Sequence, residues 1–318
     1  YYGLRSARKF ADNLFQEDRT KAMFGGLAAH SIIPLTYPGS AAFGLVLGSS
    51  LHAVGWPFAK GGSATITHAM AEYFKSLGGV IETSRRITDR SEVKDYPAVL
   101  FNTSPRTMVE IMGDALPERY RHKIEDYKYG PGVFKIDYAL SEAVPWKNEA
   151  ARKAGTLHVG SSMDELVESE QNAWDGLVSQ KPYLLISQQT IADPERAPEG
   201  KHTFWVYAHC PNSSTADMTD IIESRIEELA PGFKDTILAK NTINTAGFEE
   251  YNANYVGGDI NVGAATLSQL FTRPVARFSP YTTPLKGIYI CSSATPPGGG
   301  VHGMCGYHAA KAAISKQF

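Results

Sequence analysis

Apolar positions recur along this chain in several patterns, and each pattern predicts a different element. Residues 97–101 and 287–291 are short continuous apolar runs, which predict buried strands. Apolar residues at helical spacing follow Ser63 and stop at the Gly78-Gly79 pair, which predicts a helix with Ser63 as its N-cap. Residues 80–83 predict one more short strand beyond that helix.

The middle of the chain shows mixed patterns. Residues 134–140 alternate apolar with polar side chains, which predicts a half-buried strand, and residues 183–189 and 203–209 predict two more strands. An amphipathic helix is expected over residues 215–230, where a Pro-Gly pair stops it. Strands mixed with helices and long connections predict an α+β region.

The first fifty residues predict mainly helix. Residues 32–54 are rich in small and apolar side chains, and apolar runs of this length are typical of a buried helical hairpin. The alternative is the wall of an apolar tunnel or a surface that touches a membrane. Ser104 and Pro105 are suited to an N-cap and a first helical position, so they predict a helix that runs to Met112.

Residues 287–306 combine a strand, a turn with three consecutive glycines and the start of a helix. Glycines let another group approach the backbone, and the first amides of a helix lack partners within it. These amides and the helix dipole favour a group that carries or acquires negative charge. Gly298-x-Gly300-x-x-Gly303 matches the dinucleotide pattern, but residues 304–318 are too few for a βαβ unit and contain no Asp or Glu.

This C-terminal stretch resembles the signature of the phytoene desaturase-like flavoproteins. They are a branch of the FAD-dependent oxidoreductases that includes carotenoid desaturases and proteins of the pyridine nucleotide-disulphide oxidoreductase domain 2 type. Other matching stretches occur in the family's order and extend the resemblance over nearly the whole chain. They are Trp56-Pro57, Gly61-Gly62, residues 193–202, Arg273-Pro274 and residues 281–287.

The resemblance implies FAD as the cofactor, with the C-terminal strand, turn and helix lying against the flavin and its ribityl chain. The matching cofactor-binding positions are Ile87, near the adenine, and Ser292, Pro297, Gly298, Gly299, Gly300, Val301, His302 and Gly303. Ser292 stands where the family usually has glycine, so its Cβ would crowd the diphosphate or its hydroxyl would bond it. No residue stands out as a general base, and the catalytic residues stay unassigned.

The fold class implied is α/β with an α+β part: a partial doubly wound FAD-binding sheet and a mixed-sheet α+β substrate domain. We assign residues 1–50, the helical part, and residues 106–280 to the substrate domain. Residues 51–105 are assigned to the returning part of the FAD-binding domain, and residues 281–318 to its C-terminal part. The resemblance also implies a segment with the glycine-rich FAD fingerprint, either preceding Tyr1 or supplied by a partner chain.

The activity implied is that of an FAD-dependent dehydrogenase or desaturase, which transfers a hydride from a C–H bond of a small, apolar substrate to the flavin. Without the fingerprint segment we expect this chain alone to be inactive. A non-catalytic binding or assembly subunit of the same fold is one alternative. A zinc-binding protein that uses Cys291, His302, Cys305 and His308 is another. A hydrolase is not supported, because the chain has no Gly-x-Ser-x-Gly elbow.

Composition limits which binding partners and which cellular compartment are expected for this chain. The 318 residues are 43% hydrophobic, which suffices for a sizeable core, and a net charge of −2 gives no general attraction to nucleic acid. Three scattered cysteines make no disulphide framework and indicate a reducing compartment, the cytoplasm or an organelle matrix. No apolar run reaches the ~18 residues of a membrane span. Peripheral membrane contact and a homo-oligomer stay open.

Overall fold

Two sheets organise the computed structural model, which describes residues 1–317 and the side chains of residues 1–316. One is a parallel pair, β1 with β7, and the other is an antiparallel sheet in the order β3-β4-β5-β2-β6. The strands are β1 Val99–Phe101, β2 Gly132–Leu140, β3 Thr156–Val159, β4 Leu184–Ser187, β5 His202–Cys210, β6 Ile237–Ile243 and β7 Ile288–Ile290. The predicted fold class, mixed α/β with an α+β part, is confirmed.

Helices flank both sheets. They are α1 Ala7–Leu14, α2 Asp18–Ala28, α3 Ser40–Val54, α4 Ala64–Ser76, α5 Pro105–Met112, α6 Glu118–Glu125, α7 Glu149–Lys153, α8 Met163–Trp174, α9 Gln189–Ala192, α10 Thr219–Leu229, α11 Thr245–Tyr251, α12 Leu267–Thr272 and α13 Met304–Gln317. The mainly helical character expected of the first fifty residues is confirmed.

The five-stranded sheet buries one face against α10. Alternation along β2 and β5 puts their large apolar side chains on this face, as predicted. In the register of these strands, Phe134 lies opposite Ala208, Ile136 opposite Val206 and Tyr138 opposite Phe204. Ile222 and Ile226 of α10 pack onto them in the same buried cluster. The other face receives α1, α2 and α8, where Phe10 and Phe24 stack with ring centroids 4.7 Å apart.

The parallel pair has its own small core. Phe101 of β1 and Ile290 of β7 are buried with Met108 and Ile111 of α5. The predicted N-cap of α5 is confirmed, since the Ser104 hydroxyl accepts the Thr107 amide at 3.1 Å. This cap fixes the direction in which the chain leaves β1.

One predicted strand is absent, and one predicted helix begins later than expected. Residues 80–83 form no strand; Val80 is 79% exposed, because β1 pairs with β7 and no described strand reaches this segment. The predicted helix 215–230 begins only at Thr219, whose amide donates to the Asp217 carboxylate at 2.8 Å. A short polar side chain thus competes with helix for the backbone at this point.

Two helices expose apolar side chains. The buried-hairpin interpretation of residues 32–54 holds near Ile33 and Ala41 but is wrong for the last turn of α3, which is exposed. The helix predicted after Ser63 is α4, but the predicted capping by Ser63 is wrong, because its backbone is already helical and its hydroxyl makes no capping hydrogen bond. The apolar stripe of this helix, Ile66, Met70, Tyr73 and Leu77, lies exposed. Within residues 1–317, every helix is too short or too polar to cross a membrane.

Two histidines join the helical layer to the five-stranded sheet. His30, which follows α2, and His158 of β3 lie with their Nε2 atoms 2.9 Å apart. Burial, then the charges of His158 and His209, lowers the pKa of His30 to about 3. Burial lowers the pKa of His158 to about 4. Both imidazoles are therefore neutral at pH 7, so one Nε2–H can donate to the other Nε2.

We expect acid to weaken this junction. The folded pKa values lie below the ordinary 6.5, so the unfolded chain binds more protons as pH falls. The free energy of unfolding should then fall by about 1.4 kcal/mol per pH unit for each histidine below pH ~6.5. Free energies of unfolding, measured by urea titration at several pH values between about 7 and 5, should depend less steeply on pH in His158→Gln than in the wild type. His122→Gln, at an exposed histidine of α6, is the control; an equal change in both variants would contradict the assignment.

Candidate functional site

The site is built where the parallel strands end. β1 and β7 pair in the register Val99 with Ile288 and Phe101 with Ile290, so their carboxyl ends meet at one edge. The Cys291 amide continues the pairing by donating to the Phe101 carbonyl at 2.9 Å. In open α/β sheets, ligands bind outside this edge. The loops that leave it are therefore the first place to look for a binding site.

The loop after β7 turns sharply and leads into α13. We call residues 297–303 the glycine corner. Gly298, Gly300 and Gly303 have φ values of +101°, +145° and +63°, which side chains strongly disfavour. The turn is closed by the Gly298 amide, which donates to the Thr295 carbonyl at 2.9 Å. Glycine is thus required here by backbone conformation.

The glycine corner offers amides without partners. In the described part of the chain, no acceptor is bound by the amides of Gly299, Gly300, Val301, Gly303, Cys305 and Gly306. The corner lies at the surface, and Val301 is 91% exposed. Unpaired amides beside the start of a 14-residue helix favour a negatively charged or strongly polarised group.

The predicted corner residues differ in their accessibility. Gly298 and Ser292 are buried, whereas Pro297, Gly299, Gly300, Val301, His302 and Gly303 are exposed. The Ser292 hydroxyl accepts the Ala294 amide at 3.3 Å and thus lies within the loop itself. His302 uses Nδ1 to accept the Met304 amide at 3.0 Å. Glycine is needed where the loop turns, while Ser292 contributes to the loop's internal order.

Ile87 lies at a different place. It lines a cavity of about 1020 Å³ between the end of β1 and the region of α11, and none of residues 292–303 lines that cavity. The two predicted parts of the site are therefore not brought into one pocket. They adjoin the same edge, because Phe101 lines the cavity and also accepts the hydrogen bond that leads towards the glycine corner.

Sequence reasoning missed the polar lining of this cavity. Asn102 and Thr103 follow β1 directly and line it. Arg106 of α5 forms an ion pair with Glu249 of α11, and the Ser104 amide donates to the Asn254 side chain at 2.8 Å. The available signal was the polar Asn-Thr-Ser run after a buried strand. No local signal pointed to residues 246–254.

A buried arginine lies directly beneath the glycine corner. Arg273 is 3% exposed, and a Cβ placed on Gly298 would come within 2.8 Å of its Nη1 atom. Its Nη2 donates to the Tyr127 hydroxyl at 3.1 Å and to the Gly263 carbonyl at 3.0 Å. Burial raises the pKa of the Tyr127 phenol, and the Arg273 charge opposes that rise. The guanidinium is thus held in place from below.

Asp259 lies near this arginine without pairing with it. Its carboxylate accepts the amides of Gly130 at 2.8 Å, Asn261 at 2.8 Å and Gly263 at 2.9 Å. Burial raises the pKa of the Asp259 carboxyl, while these amides and the Arg273 charge oppose the rise. The carboxylate is satisfied by backbone, and it orders the loop that carries residues 259–263.

The zinc alternative lacks a matching geometry. In residues 1–317, no three or more His, Cys, Asp or Glu side chains are grouped so that they could hold a metal ion. Cys305 donates to the carbonyls of Thr295 and Gly298 through its thiol, and His308 stacks on Tyr281 with centroids 5.6 Å apart. Burial, then Cys305, raises the pKa of Cys291 to about 11, so its thiol is protonated at pH 7.

Comparisons by sequence identify relatives along nearly the whole chain. No protein-family model matches. The chain is 27% identical to pyridine nucleotide-disulfide oxidoreductase domain-containing protein 2 of Mus musculus, over 98% of this chain and 61% of that protein. It is 25% identical to a phytoene dehydrogenase of Streptomyces griseus over 58% of this chain and 36% of that protein. The chain thus spans less than two thirds of the length of these relatives.

Solved structures show the same fold. An oxidoreductase from Methanosarcina mazei superposes with a TM-score of 0.59 at 14% identity, covering 98% of this chain and 68% of the other. Putrescine oxidase superposes with a TM-score of 0.58 at 13% identity, covering 99% and 68%. At such identities the likeness concerns the fold alone. The resemblance inferred from the sequence is confirmed: this chain shares the fold of these solved structures and is similar to pyridine nucleotide-disulfide oxidoreductase domain-containing protein 2 and, over shorter stretches, to phytoene desaturases.

Proposed function

We propose that this chain is part of an FAD-dependent oxidoreductase that removes a hydride from a substrate C–H bond. The observation that carries the proposal is the glycine corner, where unpaired amides lie at the carboxyl edge of a parallel strand pair. This is the edge at which α/β folds bind nucleotide cofactors. The relatives support an oxidoreductase, and two of their names describe dehydrogenation or desaturation of phytoene.

The residues of the corner fit the cofactor's chemistry. Three glycines leave the backbone open, and exposed amides and a helix N-terminus favour the negative charge that a reduced flavin acquires. FAD, when bound, would supply the hydride acceptor. The corner amides would hold it, Ser292 would order the loop behind it, and Ile87 would line the cavity offered to its adenine end. The protein's part is to orient the substrate and exclude water.

The proposed domain division follows the two sheets. The parallel pair joins β1 from residues 51–105 with β7 from residues 281–318, which supports assigning both segments to a cofactor domain. All five antiparallel strands come from residues 106–280, and the helices of residues 1–50 pack on that sheet. These contacts support the proposed substrate domain.

We also propose that the corner is completed by a segment with the FAD fingerprint, in the same protein or on a partner chain. The curated relatives are longer than this chain. The apolar stripe of α4, with Met70 and Tyr73 exposed, offers an unpartnered surface of the kind that another layer covers. The segment would close the open side of the cofactor site.

An apolar, extended substrate is our proposal for the substrate class. Phytoene is what two relatives' names specify, and phytoene is a hydrocarbon. In this chain, Trp205 and Tyr207 of β5 stack with ring centroids 5.8 Å apart and planes 5° from parallel. They lie on the face of the sheet opposite to the main core. These rings pack against the helical cluster on that face, so the relatives' names carry the substrate proposal.

The cofactor proposal has a direct test. The full-length protein, purified without added cofactor, should carry flavin that denaturation releases and mass spectrometry identifies as FAD. Residues 1–318 expressed alone should retain little, because they contain no βαβ unit with the glycine-rich fingerprint that cradles a dinucleotide. Full-length protein that stays free of flavin after incubation with FAD would leave a non-catalytic subunit as the better description.

Two matched glycine variants test the corner. Gly303 and Gly200 have similar φ values, +63° and +71°, are both exposed, and have no atom within 4 Å of an added Cβ. Valine at either position should destabilise the fold by a similar ~1–3 kcal/mol. Only Gly303→Val should lower FAD occupancy of the full-length protein, at least tenfold, because it blocks approach to the corner amides. Equal occupancy in both variants would argue against a cofactor at this corner.

A further inference from the structure

The buried charge beneath the glycine corner has no direct ion-pair partner. None of the ion pairs formed among residues 1–317 includes Arg273. Its Nε atom is buried without a hydrogen-bond partner there. Nη1 makes no hydrogen bond with the described residues either, and it lies against Gly298. A buried cation is costly unless an anion or hydrogen bonds compensate it.

The nearby groups leave the Nη1 atom without a partner. Tyr127 and Gly263 accept only from Nη2, whereas Nη1 lies against Gly298. The Asp259 carboxylate accepts three backbone amides and interacts with the guanidinium charge only through space. The positive charge therefore acts through Gly298, where the absence of a side chain leaves only backbone between the guanidinium and the corner. In a low-dielectric interior its field is screened less than that of a surface cation.

We infer that Arg273 is a positioning residue whose buried guanidinium supplies the counter-charge for an anionic group seated on the glycine corner. The inference rests on the proposed function in that the group belongs to FAD. Two parts of FAD carry a suitable negative charge, the diphosphate and the pyrimidine edge of the reduced ring. Both place negative charge against the corner amides, and both would draw on the same guanidinium.

Two substitutions separate charge from packing. Arg273→Gln keeps a polar side chain but removes the charge, and its amide ends where the arginine Nε lies. Arg273→Lys keeps the charge but loses the guanidinium geometry. Arg277→Gln is the matched control, because Arg277 is exposed and its Nη2 faces the Thr283 carbonyl instead. A purely structural role for Arg273 predicts equal effects of the Gln and Lys variants.

The measurements are the FAD dissociation constant and the midpoint potential of the bound flavin, both in the full-length protein. If the diphosphate is the anion, Arg273→Gln should weaken FAD binding at least tenfold and leave the potential unchanged. If the reduced ring is the anion, Arg273→Gln should weaken binding of the reduced cofactor tenfold more than binding of the oxidised cofactor. The midpoint potential then falls by about 30 mV for a two-electron couple. Arg273→Lys should recover most of either effect, and Arg277→Gln should show neither.

The opposite results overturn the inference. They are an Arg273→Gln protein with unchanged affinity and potential, or equal losses in the Gln and Lys variants. If Arg273→Gln does not fold, Arg273→Lys carries the test: values within threefold of wild type support the charge role, and a tenfold loss overturns it.

A failure of the proposed function gives a different result. If the wild-type protein binds no FAD, the same variants are compared for stabilisation by inorganic pyrophosphate in thermal unfolding. A rise in Tm that Arg273→Gln abolishes and Arg273→Lys retains supports an anion site. No rise in wild type, or the same rise in both variants, overturns it.

Discussion

The candidate site depends on the pairing of two three-residue strands that lie far apart in the sequence. β1 and β7 run parallel, and their pairing continues into Cys291, so the loops after both strands leave from one edge. Short strands contribute few hydrogen bonds of their own, so the buried contacts of Phe101 and Ile290 with α5 hold the pair together. Through this pairing, the position of the glycine corner is set by the small core beneath it.

Electrostatics distinguishes this corner from an ordinary turn. Arg106, Arg121 and Arg225 also leave Nε without a partner, but each forms an ion pair with a carboxylate, whereas Arg273 forms none among the described residues. Here the same few residues combine such an arginine, glycines with positive φ and a row of amides without acceptors. The buried, unpaired guanidinium nitrogen has a cost in stability, because it lost its water and gained no protein partner. The coincidence of these features at one edge of the sheet is best explained by a ligand that carries negative charge.

The open surfaces of the chain fit the same picture. The apolar stripe of α4 belongs to residues 51–105, and the cavity beside β1 is lined by residues of both proposed domains. The five-stranded sheet, in contrast, is covered by helices on one face and partly covered on the other. The part of the chain proposed to bind substrate has the larger buried clusters, whereas the part proposed to bind the cofactor exposes the apolar stripe of α4.

The sequence by itself determined the elements whose signals are local. Alternation in β2, the Ser104 N-cap of α5 and the strand-glycine-helix order of the last thirty residues were all readable, because each depends on neighbours within one or two turns. The glycine corner was predictable for the same reason. The strand expected at residues 80–83 was wrong because a strand needs a partner, and composition cannot show that none is near.

Only the tertiary structure decided which distant groups meet. It placed Arg273 under Gly298, joined His30 to His158 and brought α11 against the end of β1 to form the cavity that Ile87 lines. It also kept that cavity separate from the glycine corner. These contacts join residues whose separation along the chain carries no periodic signal, since they arise from the packing of whole elements. The glycines of the corner were therefore predictable from the sequence, whereas the position of the Arg273 guanidinium beneath them was found only in the tertiary structure.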